Sequence, residues 1–193
     1  MKLRTIALAA SALAGVLVLA GCSGMTSQMP GMDNGSSSAA QFNDADVTFV
    51  MNMIVHHEQA IQMADVLLAK EGVDERVVKL ALDVQQAQGP EIDAMTSWLE
   101  GWGQPADSSD MAGMDHGGGM MSDGDMAALE SASGAEANRL FLEQMIQHHQ
   151  GAIDMAQAEL DTGQNADALA VAQTIIDAQT AEIATMQDIL GTL

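Results

Sequence analysis

The sequence predicts an all-α fold, an antiparallel four-helix bundle of ferritin-like type built from two repeated helical hairpins. Three observations carry this expectation. The first is an internal repeat: Phe49-x-x-x-Met53-x-x-His56-His57-x-x-Ala60-Ile61-x-Met63-Ala64 returns as Phe141-x-x-x-Met145-x-x-His148-His149-x-x-Ala152-Ile153-x-Met155-Ala156, every position displaced by 92. The second is a later element, Gln88-x-x-Glu91-Ile92-x-x-Met95, which returns as Gln179-x-x-Glu182-Ile183-x-x-Met186, displaced by 91. The third is composition: 48% of the 193 residues are hydrophobic and only 3% aromatic, so the apolar content is mostly Ala, Leu, Val, Ile and Met, which favour helices. Two hairpins with similar apolar faces bury them most economically against each other.

The elements follow in chain order. Residues 1–21 read as a lipoprotein signal peptide: Lys2 and Arg4 precede the apolar run from Ile6 to Leu19, which is shorter than the roughly 20 residues of a membrane span. The ending Leu19-Ala20-Gly21-Cys22 resembles a lipoprotein cleavage box, with Cys22 as the lipidated first residue of the mature chain. Residues 22–43, rich in Ser, Gly and Met with Pro30, read as a flexible tether. In the first hairpin, 44–103, Asp46 is a suitable N-cap and the positions 49, 53, 57, 60, 64, 67 and 68, all apolar but His57, follow helical spacing on one face. Glu71-Gly72 supplies a stop, and Asp74 caps a second helix running to about Gly101. Pro90 inside that helix should kink or break it. Residues 104–132 read as a Met- and His-rich crossover, with a short helical turn over Met126 to Glu130. In the second hairpin, 133–191, Ser133 or Gly134 opens a helix to about Asp161, Gly163 lies in the turn, and a last helix spans about Asn165 to Leu190.

Charge narrows the function classes. Six Lys and Arg against 27 Asp and Glu leave −21, and there is no basic stripe, so nucleic acid is excluded as a partner. Removal of Lys2 and Arg4 with the signal leaves −23, and the compartment is the bacterial envelope outside the cytoplasm. Cations are the complementary partner. A single Cys allows neither an internal disulfide nor a zinc or iron–sulfur cluster.

At about 100° per residue, Met53 and His57 point into the bundle, while His56 and Met63 lie on one flank of that face. A turn centred near residues 72–73 sets Gln88, Glu91 and Met95 beside the first His pair. The second turn likewise sets Gln179, Glu182 and Met186 beside His148 and His149. Methionines at such positions are also ordinary core filler, and Glu91 or Glu182 also suits a plain hydrogen-bond partner for histidine. Four imidazoles in an apolar bundle, however, cost desolvation unless they are satisfied, and a metal satisfies them. Ligand softness points to copper, because thioethers favour Cu(I) and imidazole accepts Cu(I) or Cu(II). The crossover concentrates Met111, Met114, His116, Met120 and Met121 among glycines, resembling the Met-Gly-Met-Asp-His stretches of exported copper-resistance proteins. Met25, Met29 and Met32 add thioethers to the tether, whereas Met51 points away from the bundle face. A di-iron oxidase would need Glu three residues before the bundle histidines. Met53 and Met145 stand there instead. A blue-copper centre would need a Cys thiolate, and no nucleophile motif is present, so catalysis is the weaker expectation.

The repeated Phe-x-x-x-Met-x-x-His-His-x-x-Ala-Ile-x-Met-Ala and Gln-x-x-Glu-Ile-x-x-Met elements, with Trp98-Leu99 after the first, resemble the family catalogued as domain of unknown function 305 over roughly residues 44 to 190. That resemblance implies an exported, ferritin-like four-helix protein that binds copper. It implies ligands at Met53, His56, His57, Met63 and Met95 and, in the second copy, Met145, His148, His149, Met155 and Met186. The expected function is a lipid-anchored copper-binding protein, sequestering the metal or passing it to an envelope partner. The alternatives are a metal-free interaction module and, behind it, a metal-dependent oxidase.

Overall fold

The computed structural model describes residues 41–105 and 118–193. The signal segment, Cys22, the tether methionines and Met111, Met114 and His116 lie outside the described residues. Among the described residues there are five helices and no strand: α1 (Asp44–Leu68), α2 (Glu75–Trp102), α3 (Asp123–Ser131), α4 (Gly134–Thr162) and α5 (Ala166–Leu190). The long helices pair as the two expected hairpins, α1 with α2 and α4 with α5, and α1 packs on α4. Of the four sides of the bundle the one between α2 and α5 is the most loosely packed, and the short α3 lies against α1 and α4. The chain is thus a four-helix bundle with one added short helix. None of the described helices is long and apolar enough to cross a membrane.

Two local expectations are corrected. The N-cap of α1 is Asn43, whose side chain accepts from the backbone N–H of Ala45 and Asp46, while Asp46 closes a reciprocal capping box on the Asn43 N–H at 2.6 Å. Asp46 thus takes the third helical position of the box with Oδ2 and keeps its other oxygen for a second task. Its Oδ1 accepts from the N–H of Gln164 and Asn165 at 2.9 and 2.8 Å, so the first helix of one hairpin ties down the turn of the other. The repeat reproduces this tie: Asn138, 92 residues on, accepts from the Asp74 N–H in the first hairpin's turn at 3.1 Å.

Pro90 neither ends nor divides α2, which runs unbroken from Glu75 to Trp102. Pro90 and Gln86, whose carbonyl loses its helical partner, both face solvent, where water satisfies the freed group. Gly89 before it carries no Cβ to clash with the proline ring. Asp74 and Asn165 cap α2 and α5 as expected, and Gly103 at φ 69° closes α2 in the left-handed conformation that glycine tolerates best. Ser133 precedes α4 without a side-chain cap bond.

The core falls into two apolar clusters. One joins Ala60, Met63, Ala64 and Leu67 of α1 to Phe141, Leu142 and Met145 of α4, with Met186 and residues of α3. The other joins Phe49, Val50, Met53 and Ile54 of α1 to Ala152 and Ala156 of α4, with Met95, Leu99 and Ile175. Later residues of α1 therefore meet earlier residues of α4. The two helices are antiparallel, and the histidine pairs fall at the boundary between the clusters.

Where the first copy has Leu67, the second has Glu159, which is buried beside Asp46. Burial, and then the hydrogen-bonding neighbour and negative charge of Asp46, push the Glu159 carboxyl up to about 8. Burial also works to raise Asp46, but the backbone N–H groups of Asn165, Asn43 and Gln164 and the Glu159 side chain outweigh it and hold that carboxyl below its ordinary value. Folding thus makes Glu159 take up a proton. Its contribution to stability is full below the unfolded value of 4.5 and is lost as pH rises toward about 8. Urea unfolding of Glu159→Gln should lack this decline, so the variant gains on the wild type between those pH values. Parallel profiles for the two proteins would refute the assignment.

Candidate metal centre

Four histidines form a layer across the middle of the bundle. His56, His57, His148 and His149 are all fully buried. The sequence placed His56 on the flank and His57 at the centre, and the structure gives the two rings different tasks. His57 turns to its own hairpin, where Nε2 lies 2.7 Å from Glu91 Oε2. His56 turns across the bundle, its ring centroid 3.7 Å from that of His148 with the planes inclined by 39°. In the second copy His149 Nε2 lies 2.6 Å from Glu182 Oε2. The two His pairs therefore make one cluster, joined through His56 and His148.

The hydrogen bonds fix the tautomers of the outer pair. An ionised carboxylate only accepts, so His57 and His149 donate to it from Nε2, and Nδ1 is the nitrogen left to carry a lone pair. Both Nδ1 atoms are buried without a partner, as are both ring nitrogens of His56 and of His148. A carboxylate that orients an imidazole and leaves its other nitrogen free is the arrangement by which proteins prepare histidine for a metal. Burial first, then the nearby His57 and His149, hold His56 down to about 3, against a small opposing effect of the Gly118 backbone. Burial, then His56, His149 and His57, hold His148 well below its ordinary value. Held neutral by burial, His56 and His148 keep their ring lone pairs available below the ordinary range of histidine.

Thioethers flank the layer on both sides. Met53, Met95 and the partly buried Met155 lie in one apolar cluster, and Met63, Met145 and Met186 in the other. Pseudo-symmetry accounts for the division, since each side receives two methionines from one copy and one from the other. Met121 and Met126 add to the second side only. Met51, read from the sequence as pointing away, packs against the first. Among the described residues no three His, Cys, Asp or Glu side chains converge as a ready-made site. Any metal held here therefore draws on the sulfurs or on rotation of the rings. Of the remaining expected positions, Gln88 and Gln179 are buried, Glu91 and Glu182 are about one-fifth exposed at 22% and 23%, and Met120 is half-buried.

The sequence reading missed how the crossover returns. The Gln59 amide clasps the Met121 backbone, donating from Nε2 to the carbonyl at 2.9 Å and accepting from the N–H at 2.7 Å. On the facing helix the matching position is Gly151, where a Cβ would collide with the carbonyl of Gly118. Gln59 and Gly151 each lie three residues past a layer histidine, and they are positions at which the two repeat copies differ. That difference was the available signal. Together they seat residues 118–121 across α1 and α4 beside His56. Gly151→Ala should unseat this strap with the helices intact, so amide exchange at Met121 should quicken by roughly tenfold or more. Unchanged protection would show that the seat is not needed.

A family model described as Domain of unknown function (DUF305) matches residues 46–190. The chain is 32% identical to a DUF305 protein of Streptomyces coelicolor described as a candidate secreted protein, over 77% of this chain and 93% of that one, with a TM-score of 0.71. It is 36% identical to a DUF305 fragment from Deinococcus radiodurans, over 78% and 98%, with a TM-score of 0.68. It is also 31% identical to CopM in a Cu(I)-bound form, over 76% and 96%, with a TM-score of 0.63. CopM is further solved in Cu(II)-bound and Ag-bound forms. No curated protein matches the sequence.

Proposed function

The chain belongs to the DUF305 family, and on that premise we propose that it is an extracytoplasmic copper-binding protein that takes soft metal into the histidine layer, for sequestration or for transfer to an envelope partner. One observation carries the reading: six ring nitrogens of four buried imidazoles have no hydrogen-bond partner and lie between two groups of methionines. Unsatisfied buried polar atoms cost about 1–3 kcal/mol each, so a chain that keeps them without a ligand gives up stability for nothing. Imidazole nitrogen with thioether sulfur suits Cu(I), admits Cu(II), and offers hard ions little. The Cu(I)-, Cu(II)- and Ag-bound forms of CopM support the same donor chemistry in a relative.

In this reading His56, His57, His148 and His149 are the nitrogen donors, and Met53, Met63, Met95, Met145, Met155 and Met186 the sulfur donors on either side. Glu91 and Glu182 orient the outer rings. Met111, Met114, His116, Met120 and Met121 of the crossover add further donors, and the seat of residues 118–121 brings its end beside His56. Residues 1–21 direct export, Cys22 carries the lipid anchor, residues 22–43 form the tether, and the bundle fills 44–193. The charge of −23 on the mature chain raises the local cation concentration over about 10 Å at ordinary ionic strength.

A His56→Leu/His148→Leu variant separates this reading from a metal-free structural role. Chelator-treated wild type should gain thermal stability on addition of Cu(I) or Ag(I), and the variant should not. The metal-free variant should itself be more stable than wild type, by roughly 1–2 kcal/mol, because apolar side chains replace unsatisfied rings. A variant that is destabilised, together with a wild type indifferent to both metals, would leave the histidines as core hydrogen-bonding residues.

A further inference from the structure

The loosest seam of the bundle, between α2 and α5, holds a recess of about 20 Å³. Its polar lining is Gln88, Glu91, Gln179 and Glu182, with Ala87 and Ala178 among the small residues that leave the space open. The repeat explains the pairing, since Gln179 and Glu182 are the counterparts of Gln88 and Glu91. Gln88 and Gln179 are 3% and 4% exposed, and the Oε1 of each is buried with no hydrogen-bond partner. Each glutamate commits Oε2 to a layer histidine and has Oε1 left to offer. No Lys, Arg or sulfur atom lines the recess.

We propose that Gln88, Glu91, Gln179 and Glu182 form an oxygen-only site for one divalent cation of hard or borderline character, of the Mn(II) or Mg(II) kind, at the seam between α2 and α5. The space exceeds the 10–15 Å³ that one small guest requires. Solvent can reach the exposed carboxylates but not the two buried amide oxygens, whereas a divalent cation can take both amide oxygens together with the free oxygen of each glutamate and balances the two carboxylate charges. Two carboxylates with two amide oxygens, open on one side to water, are the donor set of hard ions and contrast with the imidazole and thioether donors of the layer. The site uses none of the nitrogen or sulfur donors of soft-metal capture and meets them only through the Glu–His hydrogen bonds. Its cation crosslinks the two hairpins where their packing is thinnest and holds both glutamates in the position from which they orient His57 and His149.

Titration of the chelator-treated full chain with Mn(II), followed through the paramagnetic resonance signal of free Mn(II), tests the site. One tightly held Mn(II) per chain is expected, and it should remain when Ag(I) is added. Glu91→Gln/Glu182→Gln keeps an oxygen for each histidine but removes both charges, and should weaken binding by roughly tenfold or more. Gln88→Leu/Gln179→Leu leaves the net charge unchanged and should weaken it as well. Glu71→Gln/Glu100→Gln removes two exposed charges elsewhere and should leave binding within about twofold of wild type, with circular dichroism confirming that each variant is folded. Absence of a stoichiometric Mn(II) in wild type, or an equal loss in the Glu71/Glu100 variant, overturns the proposal. Displacement of Mn(II) by Ag(I) would also overturn it, by showing that one site serves both metals. Soft-metal capture stands or falls separately on the Cu(I) and Ag(I) response.

Discussion

Burial of four imidazoles at one level is the constraint on which the rest of the structure depends. An apolar bundle gains by excluding water, yet each ring brings two nitrogens that water would otherwise satisfy. Two carboxylates reach in from α2 and α5 to hold His57 and His149. His56 and His148 have only each other, ring against ring. Because α1 and α4 are antiparallel and the His-His pairs occupy matching positions, the layer cuts the core into two apolar clusters and sends methionine to both faces. The stability of the bundle comes from those clusters, and the chemistry lies in the gap between them.

The duplication is followed closely in the core and departed from where the molecule needs asymmetry. Asp46 and Asn138 keep the same stitching geometry with different side chains. Leu67 becomes Glu159, which turns an apolar contact into a protonated carboxyl beside Asp46. Gln59 becomes Gly151, and the two unlike residues make one seat, a gripping amide on one side and an absent side chain on the other. A symmetric pair could not do this. Two glutamines would block the approach of Gly118, and two glycines would have nothing with which to hold Met121.

Much of this was legible in the sequence because repetition supplied its own comparison. The helical period, the caps at Asp74 and Asn165 and the proximity of Glu91 and Glu182 to the His pairs follow from spacing alone. What the sequence hid was set by tertiary partners. Asp46 has the right chemistry for a cap, and only the nearness of the Gln164 and Asn165 amides shows why Asn43 takes that role. Pro90 reads as a breaker until the solvent exposure of its turn is known. A helical wheel that assumes one straight axis put His56 at the flank, but the neighbour decides which flank is inside, and α4 lies on that side. The neutrality of His56 is a consequence of burial, and no local pattern encodes it.

The reciprocal ties from Asp46 to the second turn and from Asn138 to the first have a consequence for how the molecule is assembled. Each hairpin caps its own returning helix, through Asp74 or Asn165, but the backbone N–H of that cap residue is held by a side chain of the other hairpin. In that sense the bundle is a homodimer written into a single chain, and the crossover replaces a bimolecular encounter by an intramolecular one at high effective concentration. Since the cost of closing a loop grows only slowly with its length, that connection can lengthen and change in composition at little expense to folding. The fold thus separates the segment that is free to vary in composition from the helices that must keep their register.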